Sequence, residues 1–160
     1  MPGLTELSRF LERDVPKFIH LAAGRGGRAP FSCRAYACRP EAGQGREHYW
    51  IYVRESQWAR VQEHVKEEAQ MAVLLTSGVD NESYQIKGTY AGVRALNPED
   101  QACLKREQHR IRAALPDMFA PPIGVEASEC LAVGLAFESL YVQTPGPQAG
   151  AAIAERSRSS

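Results

Sequence analysis

Two arginines five residues apart, Arg34 and Arg39, open the chemistry this sequence offers. A guanidinium is planar and always charged, and it can grip a phosphate through two parallel N–H donors. Side chains alternate along a strand, so residues five apart face opposite sides. The two arginines reach one anion only if the strand bulges. Arg34 is therefore the expected anion ligand. Arg60 would assist from a following helix, where the N-terminal dipole also favours an anion. The alternative is a pair of solvated arginines, the ordinary state of this residue. Tyr36 shares a face with Arg34, and Trp50 shares one with Tyr52 on the next strand. Such rings flank a planar ligand, or else fill a core or a subunit interface. Gln85 and Lys87 alternate with Ile86 and so point away from it together. They meet a ligand there, or they form a solvent-facing edge.

Other chemistries find less support. His20, His48, His64 and His109 are scattered, and no pair has the spacing of zinc ligands. His20 alternates with Ile19 and Leu21, which leaves it facing a ligand or acting as a plain satisfied side chain. Cys33, Cys38, Cys103 and Cys130 contain no C-x-x-C pair. They read as reduced, buried thiols. By alternation Cys33 and Cys38 face opposite sides, so a bridge between them would require the strand to fold back. Neither G-x-S-x-G nor G-x-x-x-x-G-K-[ST] occurs, which argues against hydrolase and nucleotidase chemistry.

The elements that must position these residues follow from hydrophobic period and turn chemistry. Leu4, Leu7, Phe10 and Leu11 fall at helical spacing, which predicts an amphipathic helix over 4–14 that Pro16 stops. Strands are predicted at 17–23 and 29–39, joined as a hairpin by the Gly-rich turn 24–28. A loop is expected at 40–45 and an aromatic, β-branched strand at 47–54. A helix with Ser56 as its cap and Trp58, Val61 and Val65 inward is expected over 56–68. The apolar run 70–77 suits a strand buried on both faces. A long strand over 83–95 contains Gly88 and Gly92, which mark bulges of the kind a small barrel needs. Asn97-Pro98-Glu99-Asp100 is a strong helix start, and Pro116 ends that helix. A loop over 117–128 and a last strand over 129–143 complete the order. Strand and helix do not alternate strictly, which argues against a doubly wound α/β sheet. The expected fold is α+β: a six-stranded, mostly antiparallel barrel with three flanking helices.

The chain has 160 residues, enough for one domain. That domain is placed at 1–144, and the Gly-, Ala-, Ser- and Pro-rich residues 145–160 are expected to be a disordered tail. Lys and Arg number 19 and so do Asp and Glu, so nothing points to a general nucleic-acid binder. No apolar run approaches a membrane span, and the acid-bearing N-terminus does not read as a secretory signal. The expected location is the cytoplasm.

Four stretches at the right separations resemble the FMN-binding split-barrel family of pyridoxamine 5'-phosphate oxidase. They are F-I-H-L-A-A with its Gly-rich turn and A-P-F-S-C-R, then R-A-Y-A-C-R, Y-W-I-Y-V-R-E-S and Y-Q-I-K-G-T-Y. The resemblance spans roughly residues 5–143. It implies a split barrel whose flavin lies between two subunits of a homodimer. It places Arg34 and Arg39 at the two ends of the family's FMN-contacting strand. It matches Tyr52 and Val53 to a Tyr-Thr pair, and offers Ser56 and Arg60 near the flavin phosphate. Gln85 and Lys87 would meet the electron-rich side of the ring. The chain departs from the family's Ser-Arg-Lys motif, carrying Glu55-Ser56-Gln57-Trp58-Ala59-Arg60 instead, and it lacks the C-terminal Trp and Arg-x-His segment. Pyridoxamine phosphate oxidation is accordingly not expected. The implied function is that of an FMN-binding oxidoreductase-like protein with an unassigned substrate. The alternative is a non-catalytic binding protein for haem, flavin or another small anion.

Overall fold

The computed structural model describes residues 2–25, 28–42, 46–65, 69–115 and 124–156. Seven strands occur in it: β1 (Lys17–Arg25), β2 (Arg28–Ala42), β3 (Glu47–Arg54), β4 (Gln70–Ser77), β5 (Ser83–Ala95), β6 (Cys130–Val142) and β7 (Ala152–Glu155). Three α-helices accompany them: α1 (Pro2–Glu12), α2 (Glu55–Val61) and α3 (Pro98–Ala114). The sheet runs β3-β2-β1-β4-β5-β6-β7, with every pairing antiparallel. Strand β3 also pairs with β6, from Arg54↔Cys130 to His48↔Ala136. That pairing closes the first six strands into the expected α+β barrel and removes their free edges.

Closure gives each strand an inside and an outside. Ile19, Leu21, Ile51, Val53, Val73, Leu75, Ile86, Val133 and Leu135 point inward and are almost wholly buried. Each such side chain contributes roughly 1.5–3 kcal/mol on leaving water. Helix α1 adds Leu7 and Phe10 to this core, as its helical spacing predicts. Phe10 meets Tyr84 edge-on at 5.1 Å, while Trp58 of α2 lies 5.7 Å from Tyr90. Tyr84 and Tyr90 are six residues apart on β5, about 20 Å at strand rise. The two helices therefore cover opposite mouths of the barrel.

Helix α3 is placed differently. It lies outside, on β2, β3 and β6, over a second apolar cluster of Ala37, Tyr52, Leu104, Cys130 and Ala132. Its start is as the sequence indicates. Asn97 accepts from the Asp100 N–H at 2.8 Å, and the Asp100 carboxylate accepts from the Asn97 N–H at 2.9 Å. This reciprocal pair is a capping box, followed by Pro98 in the first turn.

Several boundaries differ from the sequence reading. Strand β2 extends to Ala42, through Pro40, which pairs with Tyr49 of β3. Of the expected loop, 40–42 are strand and 43–45 lie outside the described residues. Ser56 is not a cap, because α2 starts at Glu55 with Arg54 in the cap position and no side-chain cap bond. That helix gives way to a 3-10 turn at Gln62–His64, and 66–68 lie outside the described residues. Strand β4 is central yet not buried on both faces: its residues alternate, and Leu74 is 38% exposed. A barrel strand has only one core side, so an apolar run on it leaves apolar groups outside. The expected last strand is β6, but the tail after it is not disordered throughout, and its residues 157–160 lie outside the described residues. Strand β7 pairs with Ser139–Tyr141 of β6, beyond the stretch that β3 uses, and Ala154 joins the core.

The glycines of β5 mark bulges as expected. The β5–β6 register shifts between Lys87 and Gly88, and again between Tyr90 and Val93 around Gly92, whose φ is +105°. At Gly88 a Cβ would lie 2.1 Å from the Ala136 carbonyl oxygen, whereas at Gly24 the nearest atom would be 3.7 Å away. Gly88→Ala should therefore cost on the order of 1–3 kcal/mol in urea unfolding, and Gly24→Ala under about 1 kcal/mol.

Candidate functional site

The bulge that alternation alone does not predict lies in β2. Its register with β3 passes from Ala35↔Val53 to Ala37↔Tyr52, leaving Tyr36 as the extra residue. The extra residue inverts the phase of the strand. Cys33, Ala35 and Cys38 all join the barrel core, while Arg34, Tyr36, Ala37 and Arg39 all face out. Arg34 and Arg39 thus share a face, contrary to strict alternation. Cys33 and Cys38 share the inner one, and both are free thiols.

The two arginines nevertheless meet different fates. Arg39 lies against α3, where Nε and Nη2 donate to Asp100 at 3.1 and 2.9 Å and Nη1 donates to Glu99 at 3.2 Å. Asp100 is fully buried. It also accepts from the Tyr52 hydroxyl at 2.6 Å and pairs with Arg94, whose guanidinium lies 4.0 Å over the Trp50 ring. One carboxylate thus pairs with two guanidiniums, one of which Glu99 also meets, and completes the helix cap. Burial would raise its pKa, but hydrogen bonds from Arg94, Tyr52, the Asn97 N–H and Arg39 outweigh that and hold it at about 2. Burial, then the bond to Asp100, drives the Tyr52 hydroxyl well above its ordinary value. Tyr52 and Val53 are both wholly buried, Tyr52 under α3 and Val53 inside the barrel.

Arg34 is exposed and has no carboxylate partner among the described residues. Its guanidinium lies 4.9 Å over the Tyr36 ring, which Arg54 flanks at 5.7 Å. Arg54 also donates to the Tyr36 hydroxyl at 2.9 Å. The expected cation is therefore present and stacked on a tyrosine. Arg54 is a second cation beside it that the sequence reading missed. Its position at the β3–α2 junction, just ahead of Glu55, is the signal that could have found it. Ser56 and Arg60 are exposed on α2, and among the described residues no hydrogen bond joins them to Arg34 or Tyr36.

Across the barrel wall Arg34 stands in a row. It pairs with His20, His20 with Leu74, Leu74 with Gln85, and Gln85 with Tyr141. Two residues further along each strand, on the same face, run Ser32, Ala22, Ala72, Lys87 and Ser139. Ile86 is fully buried, so Gln85 and Lys87 do face out together. Lys87 Nζ sits 4.8 Å over the Tyr141 ring, and Gln85 accepts from Gln143 at 3.4 Å. Arg34, His20, Leu74 and Lys87 are exposed, as is Phe18 beside them at 39%. Three strand spacings separate Arg34 from Gln85, about 14 Å. Of the residues singled out in the sequence, the open wall gathers Arg34, Gln85 and Lys87 and adds His20, while Tyr36 lies at its edge against the α3-covered cluster. It leaves Arg39 and Tyr52 with α3, and Val53 in the core.

No cluster of His, Cys, Asp and Glu suited to a metal occurs among the described residues. Burial pushes the Cys33 and Cys130 thiols up to about 11, which keeps them unreactive. No helix among the described residues is long and apolar enough to cross a membrane.

No family model matches the chain, and neither does any curated protein. Among solved structures it is similar to General Stress Protein 26 from Bacillus anthracis str. Sterne, at 10% identity and a TM-score of 0.46. The match covers 89% of this chain and 94% of that one. The barrel is read from the strand pairing itself, and a likeness at that level adds nothing to it.

The Asp100 cluster sets a pH dependence with a definite sign. The folded pKa lies below the ordinary carboxylate value, so the ionised form is favoured by folding. Its contribution is complete above about pH 4 and is lost as pH falls toward 2, an effect of about 2 kcal/mol. Asp80, held at about 2 by Arg13, shares that window, so a variant is needed to isolate Asp100. Asp100→Asn should unfold about 3–5 kcal/mol more easily at pH 6, because Arg94 loses its carboxylate and Arg39 keeps only the exposed Glu99. Urea unfolding from pH 6 to pH 2 should show the gap to the native chain narrowing as acid is added.

Proposed function

We propose that this chain binds flavin mononucleotide, or a ligand with the same pairing of flat ring and phosphate, on the open wall of β2, β1, β4 and β5. The carrying observation is the row from Arg34 through His20 and Leu74 to Gln85, with Lys87 beside it. A phosphate at one end would meet the Arg34 guanidinium, with Arg54 near it. A ring at the other would find an amide at Gln85 and an ammonium at Lys87, over the apolar floor of Leu74 and Ala72. A bound flavin supplies electron chemistry that no side chain here has, and the protein binds and orients it. Phe18 and Leu74 stand exposed on the same wall, which suits a second copy of the chain closing over the ligand.

The fit is partial. Arg34, Tyr36, Gln85 and Lys87 suit the group, whereas Arg39 and Tyr52 are consumed by Asp100. That consumption favours one second reading: a barrel that holds an anionic ligand without turning it over.

The test is a titration of FMN with the full chain, following the bands near about 370 and 450 nm while size exclusion reports the assembly state. The expected result is a spectral shift that co-elutes with a dimer, and at least about tenfold weaker binding for Arg34→Ala. An unchanged spectrum, or an Arg34→Ala chain that binds as tightly, contradicts the reading. Binding without reduction by a chemical electron donor would select the second reading.

A further inference from the structure

A cleft of about 530 Å³ opens on the far side of α3, lined by Asp14, Ala102, Lys105, Arg106, His109 and Arg110. Its volume falls within the ordinary range for small-molecule sites, roughly 300–1,000 Å³. Ala102, Lys105, Arg106 and His109 are spaced three, four and seven residues apart, so they share one helix face. Lys105 and Arg106 are adjacent like charges, and Arg106 and Arg110 repel at the i,i+4 spacing.

The charges in the cleft are not equally engaged. Arg110 is occupied: it pairs with Glu107, reaches Asp14 at 3.3 Å, and donates to the Leu11 and Glu12 carbonyls at the end of α1. Glu107 in turn is shared with buried Lys17. Lys105, Arg106 and His109 have no carboxylate partner among the described residues. Among the described lining residues only Asp14 brings negative charge, and its side chain is 90% exposed. The cleft therefore concentrates unneutralised cationic donors around a floor made of the Ala102 methyl and the apolar stems of Lys105 and Arg106. The chain as a whole carries no net charge, so this is a local field and not a basic protein.

We infer that this cleft is a second binding site, separate from the open barrel wall, for a small diphosphate-bearing ligand held by Lys105, Arg106 and His109, with Asp14 as the competing intramolecular anion. Two adjacent phosphates would match two free cations and one ring N–H. Asp14 occupies the Arg110 Nε that an incoming oxygen could use, so its removal strengthens binding.

Calorimetry of the full chain with inorganic pyrophosphate tests this, with circular dichroism on every variant. The native chain should bind pyrophosphate. Lys105→Ala combined with Arg106→Ala should weaken binding by at least about tenfold, and Asp14→Asn should tighten it by about two- to fivefold. Both variants should keep the native spectrum, because these side chains lie outside the core. Opposite responses in two folded variants cannot come from lost stability. A further titration with adenosine diphosphate separates the source of the phosphates: tighter binding than pyrophosphate indicates a nucleotide, equal binding a free diphosphate. No binding at millimolar pyrophosphate overturns the inference. So does affinity unmoved by the double variant, weakening in Asp14→Asn, or binding restricted to long RNA. None of these outcomes bears on FMN at Arg34, which the double variant leaves intact.

Discussion

The pairing of β3 with β6 is the constraint from which the rest of the structure follows. Without it the strands would form an open sheet with a free edge at β3. With it, each strand turns one set of side chains into a closed interior and the other set outward. Packing then fixes the register, since a slip by one residue would exchange the two sets. The glycines at 88 and 134 let backbone approach backbone or indole, and Gly92 supplies the positive φ of a bulge. The β2 bulge at Tyr36 changes which residues face out midway along the strand. The helices are placed by what closure leaves uncovered: α1 and α2 over the mouths, α3 over part of the outer wall.

The outer wall is thereby divided. One part, made by β2, β3 and β6, is covered by α3 and secured by Asp100, which serves two guanidiniums, a phenol and a helix cap at once. Removing Asp100 takes an acceptor from Arg39, Arg94, the buried Tyr52 hydroxyl and the Asn97 N–H together, so the cluster acts as a unit. The other part, made by β1, β4 and β5 with the first half of β2, is not covered by a described helix. Arg34 and Arg39 show how much this division matters. They lie on one strand and one face, yet one is locked into the scaffold and the other remains available.

Much of the fold was legible because local signals agreed with the global solution. Leu7 and Phe10 marked the inner face of α1, Gly88 and Gly92 marked bulges, and Asn97-Pro98-Glu99-Asp100 marked the start of α3. What escaped was tertiary. Nothing in R-A-Y-A-C-R signals a bulge, because Tyr36 is an ordinary strand residue and its displacement appears only against β3. Asp100 read as a helix-start acid, and no local pattern tells that Arg39, 61 residues away, will reach it. Residues 145–156 looked featureless by composition, but Ala152–Glu155 find an edge that β3 leaves unused on β6. The resemblance pointed to Arg34, Gln85 and Lys87, which do lie on the open wall. It could not tell that Tyr52 would lie beneath a helix.

The account rests on the open wall, and not the α3-covered wall, being where the ligand binds. Amide chemical-shift mapping during an FMN titration reads this directly, residue by residue. The account predicts shifts concentrated at Ser32 and Arg34, at His20 and Ala22, at Ala72 and Leu74, and at Gln85 and Lys87, with α3 silent. Shifts confined to α3, Arg39 and Tyr52 would contradict it, because they would require the Asp100 cluster to open for the ligand.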